Sequence, residues 1–149
     1  KQLFPALLEM GWPMYAQTID GVWFDVGQPF ELIRAQSTLM DRYAELPFSY
    51  PSNYIESNGV LQALDARVHG NVNHSVLGCG CSVEDEAEVS RSLLMDACTV
   101  ESGASVQDSV IGVGVVVPSA TVLKHCVVGD GALLKPGETY LDKKIPKEP

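Results

Sequence analysis

The second half of the chain carries large apolar residues at a spacing that repeats every 17 residues. Residues 75–142 divide into four rows of 17, and in every row the third, ninth and fifteenth residues are large and apolar. These twelve positions are Leu77, Val83, Val89, Leu94, Val100, Val106, Ile111, Val117, Leu123, Val128, Leu134 and Tyr140. A strict repeat of this length indicates a solenoid in which each row forms one turn.

A second column of small residues lies two positions before each large one. Ten of these twelve residues are Ser, Thr, Cys or Ala, and the exceptions are Val115 and Glu138. Because residues two apart on a strand share a face, each row offers three short stretches with one small and one large inward side chain. The steps of six, six and five residues predict a three-sided parallel β-helix whose coils stack about 4.8 Å apart.

Residues 58–74 follow the repeat less closely, and we interpret them as an irregular first coil. Val60 and Val72 fit the inward columns, whereas Ala66 fits poorly. Ordering the backbone of one row costs about 1–2 kcal/mol of conformational entropy per residue. This cost exceeds the free energy gained by burying three aliphatic side chains, so several coils must fold together. We place the β-helix at 58–142 and a tail at 143–149, where lysines and prolines protect one open end from strand addition.

The first half predicts a different, smaller unit. Residues 28–46 read as a helix with Pro29 in its first turn and Phe30, Ile33, Ser37, Met40 and Ala44 on one face. Pro and Ser residues then predict a linker at 47–57. Residues 4–11 predict a short helix closed by Gly11, and residues 14–24 predict a strand, an Asp20-Gly21 turn and a second strand. Residues 1–46 are therefore interpreted as a separate α/β segment.

Composition narrows the possible partners. The chain has 149 residues, a formal net charge of −9 and 46% apolar residues. A strongly acidic protein is a poor partner for nucleic acid, and no apolar run is long enough to predict a membrane span. Without a secretory signal, the four cysteines predict reduced thiols and a cytoplasmic protein. The first residue is Lys1 rather than Met, so we expect a piece of a longer protein.

The 17-residue rows resemble the hexapeptide-repeat, left-handed β-helix family. The spacing by itself predicts a parallel coil, and the general crossover rule would favour a right-handed one. The left hand is therefore implied by the resemblance. The fold class expected from it is mainly β: a left-handed parallel β-helix preceded by a short α/β segment and a helix.

The first 29 residues carry a second resemblance. K-x-x-F-P-x-x-x-x-x-G at 1–11 and G-x-W-x-D-V-G-Q-P at 21–29 are similar to the C-terminal part of mannose-1-phosphate guanylyltransferases, and glucose-1-phosphate thymidylyltransferases carry a related form. The resemblance implies a sugar-nucleotide pyrophosphorylase, which makes a nucleotide sugar and pyrophosphate from a nucleoside triphosphate and a sugar 1-phosphate. The product that this resemblance favours is GDP-mannose. In this family a helix and a left-handed β-helix follow the catalytic domain, as they do here.

The same resemblance assigns roles to three residues. Asp25 would be a ligand of Mg²⁺, while Trp23 and Gly27 would contact substrate. The family's glycine-rich nucleotide loop, its second metal-binding Asp and its sugar-phosphate Lys do not occur in this sequence. We therefore predict no catalytic residue and no nucleotidyl transfer by these 149 residues alone, and we expect the β-helix to serve oligomerisation or regulation as a homo-oligomer.

Two other functions remain open. A hexapeptide-repeat acyltransferase would use a His as general base, with His69, His74 and His125 as candidates. His74 and His125 share a column with Arg91, Asp108 and Asp142, which favours a solvated ladder of charges. A non-catalytic regulatory relative of the nucleotidyltransferases is the other alternative. Cys81 and Cys98 lie in adjacent rows, where core-filling thiols are favoured over a disulfide.

Overall fold

The computed structural model describes residues 2–45, 47 and 49–146, and of Ala44 it describes the backbone alone. Helices α1 (Leu3–Glu9) and α2 (Pro29–Asp41) and a 3-10 helix (Tyr43–Glu45) precede all the strands in these residues. Both predicted helices are therefore formed, and α2 ends earlier than the predicted span 28–46. Lys1, Leu46, Phe48 and residues 147–149, and with them parts of the predicted linker and tail, lie outside the described residues.

The strands, numbered in chain order, form three sheets that are the three sides of a solenoid. Sheet A contains β1 (Tyr54–Ser57), β2 (Val60–Ala63), β5 (Ser75–Leu77), β8 (Leu93–Leu94), β11 (Val110–Ile111), β14 (Val127–Val128) and β16 (Lys144–Ile145). Sheet B contains β3 (Arg67–Val68), β6 (Ser82–Val83), β9 (Thr99–Val100) and β12 (Val116–Val117). Sheet C contains β4 (Asn71–Asn73), β7 (Glu88–Ser90), β10 (Ser105–Gln107), β13 (Val122–Lys124) and β15 (Thr139–Leu141).

The 17-residue register is confirmed. Leu77 pairs with Leu94, Leu94 with Ile111 and Ile111 with Val128, all in parallel. The twelve large inward residues are at most 2% exposed, except Leu134 and Tyr140, which lie in the last coil and are partly buried. The protein is thus mainly β, a left-handed parallel β-helix with one continuous core.

Each regular coil turns its three corners with a residue in the left-handed backbone region. Glycine takes that region without strain, and other residues do so at a cost of about 1–2 kcal/mol. The three corner columns are Gly80, Ala97, Gly114 and Gly131; Glu86, Gly103, Ala120 and Gly137; and Arg91, Asp108, His125 and Asp142. Only the third column lacks glycine, so its side chains must stack along one edge of the solenoid.

Buried serines tie the coils together along sheet A. The Ser75 hydroxyl donates to the Asn73 carbonyl at 2.7 Å and accepts the Ser92 N–H at 3.1 Å. Ser92 and Ser109 repeat the same pair of bonds in the next two coils. All three serines are fully buried. None leaves an unpaired polar group, because each hydroxyl both donates and accepts a hydrogen bond.

The first coil is two residues shorter than the others. Gln62 pairs with Leu77 and Val68 with Val83, each at a separation of 15, whereas Val72 pairs with Val89 at 17. Val68 therefore takes the inward place that the sequence repeat gave to Ala66, and Val60 moves to the column of small residues. The corner at Gly70 is where the first coil lacks two residues.

Strands also form in the segments on either side of this β-helix. Strand β1 lies in the segment 47–57 that we interpreted as a linker, and it pairs antiparallel with β2 through an Asn58-Gly59 turn. Strand β16 lies in the tail and pairs with β14. The two added strands cover the edges of sheet A, which lowers its tendency to pair with another chain.

Sheet A is apolar on its outer face as well. Its outward column contains Leu61, Val76, Leu93, Val110 and Val127, which are in register from coil to coil. Helix α2 packs on this column, where Val110 is only 5% exposed and the Gln36 side-chain amide donates to the Ser92 carbonyl at 3.2 Å.

The predicted strands at 14–24 are not formed. Residues 12–27, all of which are described, contain neither helix nor strand, and most of their side chains are exposed. A two-stranded hairpin is marginal in water unless it packs on further strands or a helix, and no strand among the described residues pairs with this segment. The first unit is therefore helical and extended rather than α/β. We name residues 3–28 the N-terminal arm.

Gly70 provides a test of the shortened corner. A Cβ at Gly70 would overlap the Ala87 carbonyl oxygen and lie 2.5 Å from that of Glu84, and both are backbone atoms that cannot move alone. We expect Gly70→Ala to lower the free energy of unfolding by at least about 2 kcal/mol. In the control, Gly114→Ala, a Cβ meets open space and Ala97 already adopts that corner conformation, so we expect about 1 kcal/mol or less. Equal losses in urea unfolding would contradict this account.

Val110 tests the docking of α2. An aspartate there would place a carboxylate without a partner under the helix, at a cost of about 2 kcal/mol or more. We expect Val110→Asp to increase hydrogen exchange of the α2 amides at least tenfold. Val122→Asp, outward on sheet C and away from the helix, is the matched control and should leave α2 protection unchanged.

Candidate functional site

The N-terminal arm brings two of the three predicted site residues into one shallow cavity. Trp23 and Asp25 line it together with Phe24, Glu31 and Arg34, and its volume is about 410 Å³. The cavity lies where the arm meets the first turn of α2. The Trp23 ring is 73% exposed, so it has room to stack on a ligand.

Gly27 lies outside the lining of this cavity. A Cβ at Gly27 would meet only the Asp25 carboxylate oxygen, at 3.5 Å, which is ordinary contact. Its backbone is not in the left-handed region either. Within this chain, nothing in the packing requires glycine at position 27, and its predicted contact with substrate remains a prediction.

The carboxylates of this cavity do not make a magnesium site by themselves. Asp25 shares the cavity with Glu31, but the Arg34 guanidinium lies 3.6 Å from Glu31 and already neutralises it. The described residues contain no group of three His, Cys, Asp or Glu side chains able to hold a metal ion. Magnesium bound through one exposed carboxylate would need its other ligands from elsewhere.

The arm presents an unusually apolar surface. Ten large apolar side chains between residues 3 and 26 are 45–93% exposed. They are Leu3, Phe4, Leu8, Met10, Trp12, Met14, Tyr15, Ile19, Trp23 and Val26. Exposed apolar surfaces of this size mark contacts with another protein or with a membrane, or grooves that bind a ligand.

The third corner column forms a ladder of alternating charges. The Arg91 guanidinium donates two hydrogen bonds to the Asp108 carboxylate, at 2.7 and 2.8 Å. In the next pair, His125 Nδ1 lies 2.7 Å from the Asp142 carboxylate. The predicted ladder is confirmed: each of these two pairs joins a basic residue to an acidic residue of the next coil.

The ladder shifts the pKa values of Arg91 and Asp108. The hydrogen bonds from Arg91 lower the pKa of Asp108 below its ordinary value of 3.8, against the opposing effect of burial. The same contact raises the pKa of Arg91. Both groups therefore remain charged over the whole physiological range of pH.

Two histidines of this column meet the two ends of α2. The His125 ring stacks on Phe30, with centroids 4.0 Å apart, and His74 Nε2 lies 3.7 Å from the Asp41 carboxylate. His125 follows His74 by three repeats, about 14 Å of stacked coils, and eleven helical residues rise about 16 Å. The helix therefore runs along the ladder, and it fixes the direction in which the arm leaves the solenoid.

A small cavity lies between α2 and the ladder. Its volume is about 250 Å³, and its lining contains Phe30, Ile33, Arg34, Asp108 and His125. With Asp142 on Nδ1, the other ring nitrogen of His125 could accept a proton, which is the arrangement a general base needs. His69 is not part of this cavity.

Cys81 and Cys98 are core-filling thiols, as predicted. All four cysteines are free, and Cys81, Cys98 and Cys126 are buried, whereas Cys79 is partly exposed. Hydrogen bonding with Cys81, followed by burial, raises the pKa of the Cys98 thiol, and the same hydrogen bond lowers the pKa of Cys81. The three buried thiols pack in the core and make weak hydrogen bonds to backbone carbonyls.

The outward apolar column of sheet A was not predicted from the sequence. The signal for it was present, because the second residue of every row is Val or Leu: Val76, Leu93, Val110 and Val127. This column places α2, and through α2 it places the arm.

Asp108 provides a test of the ladder. We expect Asp108→Asn to lower the free energy of unfolding by about 0.5–1 kcal/mol at pH 7, because both partners are partly exposed. The folded-state pKa is depressed, so this contribution is complete above the unfolded value and is lost as pH falls below 3.8. Unfolding curves of wild type and variant should therefore converge at low pH. Asp85→Asn, an exposed carboxylate at another corner, is the control, and a gap that persists at pH 2 would refute the assignment.

Comparison with known proteins identifies the solenoid. The family model described as "GlmU-like, C-terminal hexapeptide" matches residues 60–140. The solved acetyltransferase domain of PglB from Neisseria gonorrhoeae FA1090 is 18% identical, with a TM-score of 0.43, and the alignment covers 73% of this chain and 63% of that one. The chain thus spans less than two thirds of that structure.

A comparison with the curated proteins gave no match to the chain. Among the described residues, no helix is long and apolar enough to cross a membrane. The family match covers more than half of the chain and coincides with the coils described above. The chain therefore belongs to the GlmU-like C-terminal hexapeptide family.

Proposed function

We propose that the chain is the C-terminal part of a cytoplasmic sugar-nucleotide pyrophosphorylase of the mannose-1-phosphate guanylyltransferase kind. The observation that carries the proposal is the position of the Trp23–Gly27 motif. It ends an apolar arm and leads directly into a helix docked on the β-helix. In this proposal the reaction joins a nucleoside triphosphate and a sugar 1-phosphate, and GDP-mannose is the product.

The exposed arm supports this proposal. Ten apolar side chains in one short segment are exposed. In the intact protein, the rest of an α/β catalytic domain would pack against them and bury them. The hairpin expected at residues 14–24 would then form as part of that domain's sheet, where it has strands to pack on. The absence of strands from residues 14–24 in this chain fits this account.

Asp25 would contribute one carboxylate ligand to Mg²⁺ in the intact protein. Trp23 would support the bound substrate through its exposed ring. Arg34 lies in the same cavity with a side chain that is 73% exposed, and it could contact a phosphate group. The 149 residues by themselves should show no activity, because the nucleotide loop and the other ligands lie outside them.

The solenoid would serve assembly or regulation in this protein. Its buried residues are aliphatic side chains, small residues and satisfied serines, which suit a rigid support. Helix α2 joins that support to the arm through contacts at both of its ends. Self-association through the solenoid would thereby fix the position of one catalytic domain relative to another.

The test is activity in the protein of native length, purified from its own cells. We expect pyrophosphate release with GTP, mannose 1-phosphate and Mg²⁺. Asp25→Asn should lower kcat at least a hundredfold, while Asp20→Asn, an exposed carboxylate at the turn of the same arm, should stay within about twofold of wild type. Equal activity of the two variants would contradict the assigned role of Asp25.

A second candidate function rests on one specific contact. His125 paired with Asp142 at 2.7 Å resembles the base of an acyltransferase, although Phe30 covers one face of the ring. Acetyl transfer from acetyl-coenzyme A that is lost in His125→Asn and kept in His69→Asn would favour this alternative. Failure of the chain to bind acetyl-coenzyme A would exclude it.

A further inference from the structure

The first turn of α2 lies between two cavities. On one side, Glu31 and Arg34 line the cavity that contains Asp25. On the other side, Phe30 and Arg34 line the cavity against the ladder, so Arg34 is common to both. Because the same turn borders both cavities, a displacement of this turn relative to the solenoid would also change the surroundings of Asp25.

The start of α2 has little of the stabilisation that a helix end usually receives. Gln28 is the N-cap residue, and its side chain makes no capping hydrogen bond. The Glu31 and Arg34 side chains lie 3.6 Å apart in solvent, where an ion pair contributes little. A helix end without a cap opens easily, because its first N–H groups have no partner within the helix. The first turn therefore depends on contacts with the rest of the protein.

Stacking of Phe30 on His125 supplies such a contact. The ring centroids are 4.0 Å apart and the ring planes differ by 18°, which is a favourable arrangement for two aromatic rings. His125 is held at two points: its backbone N–H donates to the Gln107 carbonyl at 3.0 Å, and its Nδ1 lies 2.7 Å from the Asp142 carboxylate. The His125 ring therefore presents a fixed surface of the solenoid to the helix.

The other end of α2 contacts the same ladder column through a different kind of pair. His74 Nε2 lies 3.7 Å from the Asp41 carboxylate, and the two side chains are 48 and 64% exposed. Asp41 is the last residue of the helix, so it lies at the end farthest along the chain from Asp25. Only the contact at Phe30 adjoins the segment that carries the Trp23–Gly27 motif.

We propose that His125, acting through Phe30, is a positioning residue for Asp25. The effect on catalysis rests on the proposed function, whereas the effect on the helix rests on the contacts of α2 alone. In this account the edge of the solenoid sets the geometry of the cavity that contains Asp25, and it does so through one aromatic contact. A solenoid that served only as a support would not need that contact at the start of the helix.

Hydrogen exchange in the 149-residue chain tests the effect on the helix. The amides of residues 33–36 bond to the carbonyls of the first turn, and those of residues 38–41 report on the last. We expect Phe30→Leu to accelerate exchange at residues 33–36 by at least about tenfold and to leave residues 38–41 within about twofold. Phe30→Tyr keeps the ring and should exchange as wild type does.

The matched control is Asp41→Asn, which removes the other contact of α2 with the ladder. It should leave exchange at residues 33–36 within about twofold of wild type, because the stack on His125 remains. Equal exchange at residues 33–36 in Phe30→Leu and Asp41→Asn would overturn the proposal.

A double-mutant cycle tests whether Phe30 acts through His125. Asn tolerates the left-handed backbone of this corner, so His125→Asn removes the ring while the coil should remain folded, which circular dichroism checks. If the two rings act as a pair, combining Phe30→Leu with His125→Asn should accelerate exchange at residues 33–36 by no more than about twofold over either single variant. Effects that multiply in the double variant would contradict action through His125.

The Mg²⁺ dependence of the native-length protein tests the effect on Asp25. Phe30→Leu keeps the carboxylate but loses its support, so we expect the Mg²⁺ concentration for half-maximal pyrophosphate release to rise at least about tenfold. Because saturating Mg²⁺ offsets the weaker site, kcat should then stay within about threefold of wild type. Phe30→Tyr and Asp41→Asn should keep the wild-type Mg²⁺ dependence. Wild-type Mg²⁺ dependence in Phe30→Leu would overturn the positioning role.

The two measurements separate this inference from the proposed function. A native-length protein without pyrophosphorylase activity would contradict the proposed function. The exchange measurement would still decide whether His125 positions the start of α2: faster exchange at residues 33–36 in Phe30→Leu alone supports it, and no difference from Asp41→Asn overturns it.

Discussion

Sheet A is apolar on both faces, and the need to cover its outer face determines how the rest of the chain is arranged. The inner face is buried by the coils themselves. The outer column from Leu61 to Val127 can be buried only by an added element, and α2 is that element. Its length matches three coils, so the helix lies along the solenoid with His74 at one end and His125 at the other. The arm therefore leaves at a fixed place.

The regular coils illustrate why so much could be predicted from the sequence. A large inward residue at every third, ninth and fifteenth position leaves no other register, because a shift by one residue would turn each strand inside out. The small column is equally constrained, since the serine hydroxyls must reach both the preceding carbonyl and the next coil's N–H. In the regular coils, the preferences of the individual residues and the fold as a whole favour the same structure.

The pattern was less informative where the chain departs from the repeat. The first coil drops two residues at Gly70, a change that is visible in the strand pairing, where Gln62 pairs with Leu77 and Val68 with Val83. The hairpin that caps sheet A has an Asn58-Gly59 turn, a strong hairpin signal, but the turn lies in a stretch that also fits the 17-residue length of the repeat. Residues 14–24 predict strands because an Asp20-Gly21 turn lies between two strand-like runs, but strands need neighbours that these residues do not provide. The Trp23–Gly27 site depends on the same neighbours, so its chemistry could be only partly predicted.

The central claim is that this chain completes a larger catalytic protein, and the native gene product tests it most directly. The measurement is the intact mass of that protein from its own cells, with peptide mapping of the sequence before Lys1. The account predicts a chain of about twice this length or more that carries the glycine-rich nucleotide loop upstream of the arm. A native chain that begins at or near Lys1 would contradict it, and the arm's apolar surface would then need a partner from another protein.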